Sequence, residues 1–291
     1  MALNIVSYNL HGFNQGYPLL SGLCESFDVI LLQEHWLYPN ELSRLDAINS
    51  DFLSVSTSSM GKVLGSRVRH GRPFGGTGIL VHKKWLSKFK CVAKRERFIA
   101  VFIGNVLLVN VYLPVNTGTV EYIEEMRCVL ADMMDVINDC QATKVIVGGD
   151  FNFNFDIDVR VRDLYNVITD NSFIHCDDVL VPDDGSLMHP VTFRRNVDHS
   201  GTFIDHFCVT RNLRQSVVQS HIIDSGDNLS DHLPICIEIK CDSLNSVDAR
   251  RDIEFRRRFR WDKADVMSYY HAVLRIIIYH RYLYLMACWT A

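Results

Sequence analysis

The sequence lacks several features that mark whole classes of protein. Its nine cysteines include no Cys-x-x-Cys pair, which argues against a zinc site, and their odd number gives no disulfide framework. Such usage fits a reducing compartment, so an intracellular location, nuclear or cytoplasmic, is expected. No basic leader precedes an apolar run at the start, where Asn4, Ser7 and Asn9 interrupt the strand-like residues, and no secretion signal is read there. Residues 271–291 are apolar and aromatic, but Arg275, His280 and Arg281 argue against a membrane span. No internal repeat of fixed period is visible. Positive charge is not in excess either: the net charge is −4, made of −7 over residues 1–241 and +3 from Asp242 onward. An acidic body does not hold DNA by bulk charge. It can still bind nucleic acid if a divalent cation offsets a carboxylate cluster.

What is present suits one large domain, or one domain with a short appendage. The 291 residues are 48% hydrophobic and 22% charged, ordinary for a globular chain with a substantial core. Sixteen Phe and eleven Tyr favour a sheet-rich interior.

The most informative stretch is Lys144 to Asn152, reading Lys-Val-Ile-Val-Gly-Gly-Asp-Phe-Asn. Three β-branched residues predict a short buried strand, and the Gly pair is expected to break it. Asp150 and Asn152 then leave the carboxyl end of a core strand on one side. Side by side they can bind a metal, polarise a water or grip a phosphate; equally, they can cap a turn.

Along the chain, strands are expected at Leu3–Tyr8, Asp28–Gln33, Ile79–His82, Lys90–Ala93, Phe98–Ile103, Val106–Tyr112, Val191–Arg194, Phe203–Thr210, Val217–Ile223 and Leu233–Lys240. Helices are expected at Leu19–Ser26, Glu41–Ile48, Thr119–Cys140 and Val161–Asp170; the third carries Val120, Ile123, Met126, Leu130, Met133 and Ile137 at helical spacing. Ser54 to Gly78, rich in Ser, Gly and basic residues (Lys62, Arg67, Arg69, Arg72), reads as a long surface loop, functional or merely solvated. Asp242–Asp248 reads as a polar linker. Arg250–Trp261 carries six Arg with interleaved aromatics, a composition that suits nucleic acid or a solvated linker. The chain stops where another element begins, which reads as a truncated end. The organisation expected is a body of residues 1–241 followed by a linker and tail of residues 242–291. Many strands with few helices predict two packed sheets flanked by helices.

The predicted strands share one habit: each ends in a polar group. Six ends offer Asn9, Glu34, Tyr112, Asp150 with Asn152, Asp205, and Asp231 with His232. Their segments are Ser7-Tyr8-Asn9-Leu10-His11-Gly12, Leu32-Gln33-Glu34, Val111-Tyr112-Leu113-Pro114, Gly148-Gly149-Asp150-Phe151-Asn152, Ile204-Asp205-His206-Phe207 and Ser230-Asp231-His232-Leu233-Pro234. In that order they resemble the endonuclease/exonuclease/phosphatase superfamily over roughly residues 3–240. With His189-Pro190 and Thr192-Phe193 they look most like the endonuclease domains of non-LTR (LINE-type) retrotransposons. Trp261 to Asp265 looks like the start of the segment leading to a reverse transcriptase, to which the chain would once have been fused.

The resemblance implies a four-layer αββα sandwich of two mainly antiparallel sheets and a metal-dependent phosphodiesterase. Glu34 is then a ligand for Mg²⁺ (or Mn²⁺), with Asn9 and Asp231 completing the shell. Asp150 activates or orients water, and Asn152 bonds the scissile phosphate. His232 meets a non-bridging oxygen as an imidazolium oriented by Asp205, and Tyr112 offers a phenolic donor. Asn9, Asn116, Thr192 and Ser230 are candidates for substrate contact. Read as residues alone, Asn9 can be a turn cap, Tyr112 a core residue, and the other histidines surface or satisfied core groups. The expected partner is duplex DNA, nicked on one strand to leave a 3′-hydroxyl, with a monomeric body, no small-molecule cofactor and no membrane. Other phosphoesters (inositol phosphate, sphingomyelin, RNA) and a decayed nucleic-acid-binding remnant are the competing expectations.

Overall fold

The computed structural model describes residues 2–61, 73–155, 173–176, 191–194 and 201–240. All belong to one compact unit, Met1–Ala249. The expected helix at 161–170, the basic residues Lys62 to Arg72, His189 with Pro190, and the linker and tail of 242–291 lie outside the described residues.

Two six-stranded sheets form the centre. The first has the order β13 (Val217–Ile222), β14 (Ile235–Lys240), β1 (Ala2–Asn9), β2 (Val29–Gln33), β4 (Thr77–His82), β3 (Phe52–Thr57). The second runs β5 (Phe89–Lys94), β6 (Phe98–Ile103), β7 (Val106–Tyr112), β8 (Val145–Asp150), β12 (Asp205–Thr210), β9 (Phe173–His175). A two-stranded ribbon, β10 (Phe193–Arg194) and β11 (Gly201–Thr202), stands apart. Only the β1–β2 and β7–β8 pairs are parallel; the other pairs within the sheets are antiparallel.

Strand alternation builds the layers. On β1, Leu3 and Ile5 face the second sheet, while Val6 and Tyr8 face outward under helix α1 (Phe13–Ser26). On the second sheet, Val101, Leu108, Ile146 and Phe207 point inward, and Ala100, Val109 and Val147 face helix α3 (Val120–Asp139). Helix, sheet, sheet, helix is the expected four-layer sandwich. A short helix α2 (Ser43–Asp46) replaces the expected Glu41–Ile48.

Three local expectations are corrected. Gly148 and Gly149 do not break the strand; both lie inside β8. A side chain at Gly148 would meet Phe207 at 2.3 Å, and one at Gly149 (φ 148°) would meet the Val111 carbonyl at 2.0 Å. The pair therefore lets neighbouring strands and the opposite sheet close in. Helix α1 starts at Phe13, six residues before the expected start, despite Pro18. Its entry is tied down, because the amides of Gly12 and Phe13 donate to the carbonyls of Glu34 and His35 at 2.8 and 3.0 Å. The Ser54–Gly78 segment is not wholly loop: it begins in β3 and ends in the first residues of β4.

On the inner face, apolar residues give way to polar ones along a single direction. The sequences Leu3-Ile5-Ser7-Asn9, Val29-Leu31-Gln33, Leu108-Asn110-Tyr112 and Ile146-Gly148-Asp150 all turn polar toward the carboxyl end of their strand. Asp205, opposite Asp150 in the register, starts β12 at the same level. The polar ends meet in the middle. Gln33 donates to Asn110 Oδ1 at 2.6 Å and to Ser7 at 3.1 Å. Asn110 donates to the carbonyls of Leu32 and Gly78 at 2.9 and 2.8 Å. All three side chains are buried. They bolt one sheet to the other directly beneath the strand ends that carry the candidate residues.

Candidate active site

The strand ends are held in uncommon backbone conformations. His11, Glu34, Trp36 and Asn152 all have φ between 46° and 58°, a region that non-glycine residues seldom adopt. Backbone amide bonds hold three of them. The His11 amide donates to Asn9 Oδ1 at 3.0 Å and the Asn152 amide to Asp150 Oδ1 at 2.8 Å. The Trp36 amide donates to the Gly75 carbonyl at 3.0 Å. These turns aim side chains across the gap between the sheets.

Asn9 is the central tie. Its amide nitrogen donates to Glu34 Oε1 at 3.1 Å and to Asp150 Oδ2 at 2.9 Å, so one fully buried carboxamide spans carboxylates from two sheets. Trp36 donates to the other Glu34 oxygen at 3.0 Å. Tyr112, nearly buried, extends from β7 with its phenol close to Glu34 and Asp150. Burial, then the charges of Glu34 and Asp150, hold that phenol well above its ordinary range. The Arg97 guanidinium lies over its ring at 5.2 Å.

A buried acid–imidazole–acid row completes the arrangement. His232 Nδ1 lies 2.9 Å from Asp205 Oδ2, and its Nε2 lies 4.0 Å from Asp150 Oδ2. A carboxylate oxygen only accepts, so Nδ1 carries a proton directed at Asp205. Burial alone would lower the proton affinity of His232, but the carboxylates of Asp205, Asp150 and Asp231 outweigh it and raise it. Asp150 is shifted upward too, first by burial and then by the charge of Asp205. The row thus pairs an imidazolium with a carboxylate of unusually high proton affinity.

Several candidates are placed as supports. Thr192 is fully buried, and its hydroxyl accepts from the amides of Ile204 and Asp205, both at 3.0 Å. It seats Asp205 and is not on the surface, which corrects the expectation of substrate contact. Ser230 donates to the Asn9 carbonyl at 2.8 Å and accepts from the His232 amide at 3.1 Å, linking two sides of the site. Asn116 closes its own turn by accepting from the Gly118 amide at 2.9 Å. Asn152 donates to the Leu113 carbonyl at 2.8 Å, with a second amide hydrogen in reserve. His206 is a satisfied core group, 2.9 Å from the Phe153 carbonyl and boxed by Phe151, Phe155 and Phe203.

Two expected metal ligands are engaged elsewhere. Asn9 gives its carbonyl oxygen to the His11 amide, and Asp231 Oδ1 pairs with His11 Nδ1 at 3.0 Å. Among the described residues, the set of three His, Cys, Asp or Glu side chains with ligand atoms within 4.8 Å of one another is Asp150, Asp205 and His232. His232 could ligate a metal through Nε2 only by giving up the proton that its neighbouring carboxylates favour there. The half-buried Glu34 and the Asp150 carboxylate, brought together by Asn9, are hard oxygen donors with lone pairs remaining, and they fit a hard divalent cation. His11 was not singled out from sequence, and neither was the Gln33–Asn110 bolt; a polar residue two positions before Tyr112 in a buried strand was the available signal.

With the geometry established, its relatives can be placed. Residues 6–232 match the family model described as the Endonuclease/Exonuclease/phosphatase family. The chain belongs to this family. No curated protein matches it by sequence. Among solved structures, the AP endonuclease LMAP from Leishmania major superposes with a TM-score of 0.63 at 15% identity, covering 82% of this chain and 88% of that one. A 3′ phosphatase from Neisseria, bound to a product DNA hairpin, gives 0.60 at 17% identity, covering 82% and 99%. An AP endonuclease from Archaeoglobus fulgidus gives 0.60 at 13% identity, covering 81% and 98%. At these identities the likeness is one of fold, and the endonuclease/exonuclease/phosphatase sandwich is the fold of this chain. No helix among the described residues is long and apolar enough to cross a membrane.

Proposed function

We propose that this family member is a divalent-metal-dependent DNA endonuclease that nicks one strand of a duplex and leaves a 3′-hydroxyl. The observation that carries the reading is the buried Asp205–His232–Asp150 row joined through Asn9 to Glu34. Phosphodiester hydrolysis needs a base for water, positive charge for the phosphoryl oxygens and help for the leaving oxygen. Asp150, its proton affinity raised by burial, takes the proton of the attacking water. His232, fixed by Asp205, presents an imidazolium N–H to a non-bridging oxygen. Tyr112 places its phenol by the phosphate, and Asn152 adds an amide donor. The water oxygen bonds phosphorus as the P–O3′ bond breaks, and the departing 3′ oxygen takes a proton from solvent to leave as a hydroxyl. A Mg²⁺ or Mn²⁺ ion at Glu34 would neutralise charge on the phosphate.

The LINE-like motifs support a biological setting in which the free 3′ end primes reverse transcription by a fused polymerase. The acidic body supports a metal-assisted grip on DNA over a purely electrostatic one. The test is a supercoiled-plasmid assay with Mg²⁺, with and without EDTA. Open circles extendable by a polymerase, formed only with metal, are expected. Absence of open circles with both Mg²⁺ and Mn²⁺ sinks the reading. Duplexes carrying an abasic site or a 3′-phosphate, run beside the plasmid, separate nicking from the activities named for the structural neighbours.

A further inference from the structure

The end of the sandwich opposite the candidate site gathers a different kind of residue. Strands β7, β8 and β12 run from end to end, with Tyr112, Asp150 and Asp205 at the site and Val106, Val145 and Thr210 far from it. At that far end the turn after β4 carries Lys83, Lys84 and Lys88, and β5 opens with Phe89 and Lys90. Lys144 precedes β8, and Arg211 and Arg214 lie in the turn after β12. Lys240 closes β14, opposite Ala2. Backbone carbonyls tie these pieces together. The Gly104 amide donates to the Lys88 carbonyl at 2.8 Å, the Leu107 amide to the Lys144 carbonyl at 2.9 Å, and the Asn212 carboxamide to the Thr143 carbonyl at 2.8 Å.

Carboxylates at this end are fewer: Glu25, Asp28, Asp51, Asp139 and Glu238. Lys84 pairs with the buried Asp28, and Glu238 accepts from Gln219. Lys83, Lys84, Lys90, Arg211 and Lys240 are exposed. A body that sums to −7 therefore keeps a cationic end, turned away from its acidic site.

Charge and layout together select a ligand. Cations spread over several turns form a row, which suits a polyanion. From β5 to β12 the sheet edge covers four strand spacings, roughly 20 Å at about 4.8 Å each. That is about half a helical turn of duplex DNA. The aromatic rings of this end point inward: Trp85 is 4% exposed, and Phe89 and Phe27 pack on the core. Rings so placed give neither a stacking platform for unpaired bases nor an interfacial anchor for a bilayer. Charges on flexible stems reach backbone phosphates whatever the base sequence.

We propose that this basic end is a second, sequence-independent surface for duplex DNA, so that one molecule grips one segment while its active site engages another. The surface goes beyond the nicking reading; it shares with that reading only DNA as the ligand, and it needs no metal.

Acetylation footprinting of the full chain in EDTA, read by mass spectrometry, locates the surface. A saturating short duplex of mixed sequence should protect Lys88 and Lys90, and phosphatidylserine vesicles should not. Bridging is measured by capture of a fluorescent duplex on beads that carry a second duplex. The unaltered protein should capture it. The combined substitution Lys88→Gln, Lys90→Gln and Arg211→Gln should lower capture about tenfold, and the salt slope should fall by about 0.9 for each phosphate contact removed. Circular dichroism, and nicking of a short duplex with Mg²⁺, should stay unchanged in that variant. Protection by vesicles in place of DNA, no capture by the unaltered protein, or capture that survives the substitutions overturns the surface. Capture by an unaltered protein that does not nick leaves the surface standing and removes the nicking function. Nicking without capture does the reverse.

Discussion

His35 and His232 are both buried near the same set of strand ends, yet their surroundings drive them to opposite charge states. Around His35 the partners are backbone groups. The Leu37 amide donates to Nδ1 at 3.0 Å, so Nε2 carries the proton and donates to the Thr57 carbonyl at 2.9 Å. With both nitrogens satisfied by neutral groups, burial pushes its pKa down to about 4. Around His232 the partners are carboxylates, and the same burial is overcome. Depth alone does not set the charge of an imidazole; the group at hydrogen-bond distance does. One histidine locks a turn, and the other is poised to donate to an anion.

Breaking the charged region should have the largest effect. His232→Ala and Asp150→Ala should each lower plasmid nicking on the order of a thousandfold, as loss of a preorganised charge at a phosphoryl transition state does. Circular dichroism should show both variants folded. Loss of nicking with loss of fold would mean the row is structural. Glu34→Ala should differ in kind, regaining part of its rate as Mg²⁺ is raised or replaced by Mn²⁺, which the other two variants should not do. Equal, metal-insensitive losses in all three would refute the roles proposed.

Asp205→Asn tests the comparison more finely, because it turns the carboxylate partner of His232 into a neutral one like those of His35. The imidazole should then hold its proton less tightly. A rate loss on the order of a hundredfold at neutral pH is expected, with the alkaline limb of the pH–rate profile moved to lower pH. An unmoved limb would show that Asp205 does not set the charge of His232.

The neutral region makes a prediction about stability. A histidine with a folded pKa near 4 and an unfolded value near 6.5 binds more protons when unfolded. Stability should therefore fall as pH drops from about 6.5 to about 4, by about 3 kcal/mol from His35 alone. His232 has the opposite sign: its contribution is complete below its unfolded pKa and is lost as pH rises through the folded one. Urea unfolding at pH 7 and pH 5 should show the acid loss, and His35→Gln should reduce it. The smallest effect concerns Thr192→Val, which leaves two buried amides without an acceptor and should cost about 1–3 kcal/mol. Thr192→Ser should restore the melting temperature, and failure to do so would show that the methyl group matters more than the hydroxyl.

Much of this was legible in the chain. Strands β6 and β7 match their expected bounds, and β1, β2 and α3 are found within a residue or two, because each carries a clear apolar period. The strand-end residues Asn9, Glu34, Tyr112, Asp150, Asp205 and His232 do converge, since polar groups ending apolar strands share a rim. What sequence hid was partnership across the sheets. Nothing local says that Asn9 spans two carboxylates, that Asn110 reaches Gln33, or that His11 takes up Asp231. The Gly148-Gly149 pair was misread because a glycine needed for close approach looks the same as one needed for a turn. Asp150 and His232 stand at that rim but are buried; burial raises the proton affinity of Asp150, while neighbouring carboxylates raise that of His232 against it.

The pairing of β1 with β14 joins the two extremes of the described chain: Ala2 lies opposite Lys240. The first sheet therefore closes only after the second has been laid down in between, and His232 is the last of the row to leave the ribosome. Throughout synthesis the nascent chain holds Asn9, Glu34 and Asp150 without the imidazole that makes them useful. Such end-to-end closure slows folding, since the longest loop must be shut before its contacts repay the cost. It also leaves the Asp150–Asp205 pair without its imidazole until the last strands of the sheets are in place.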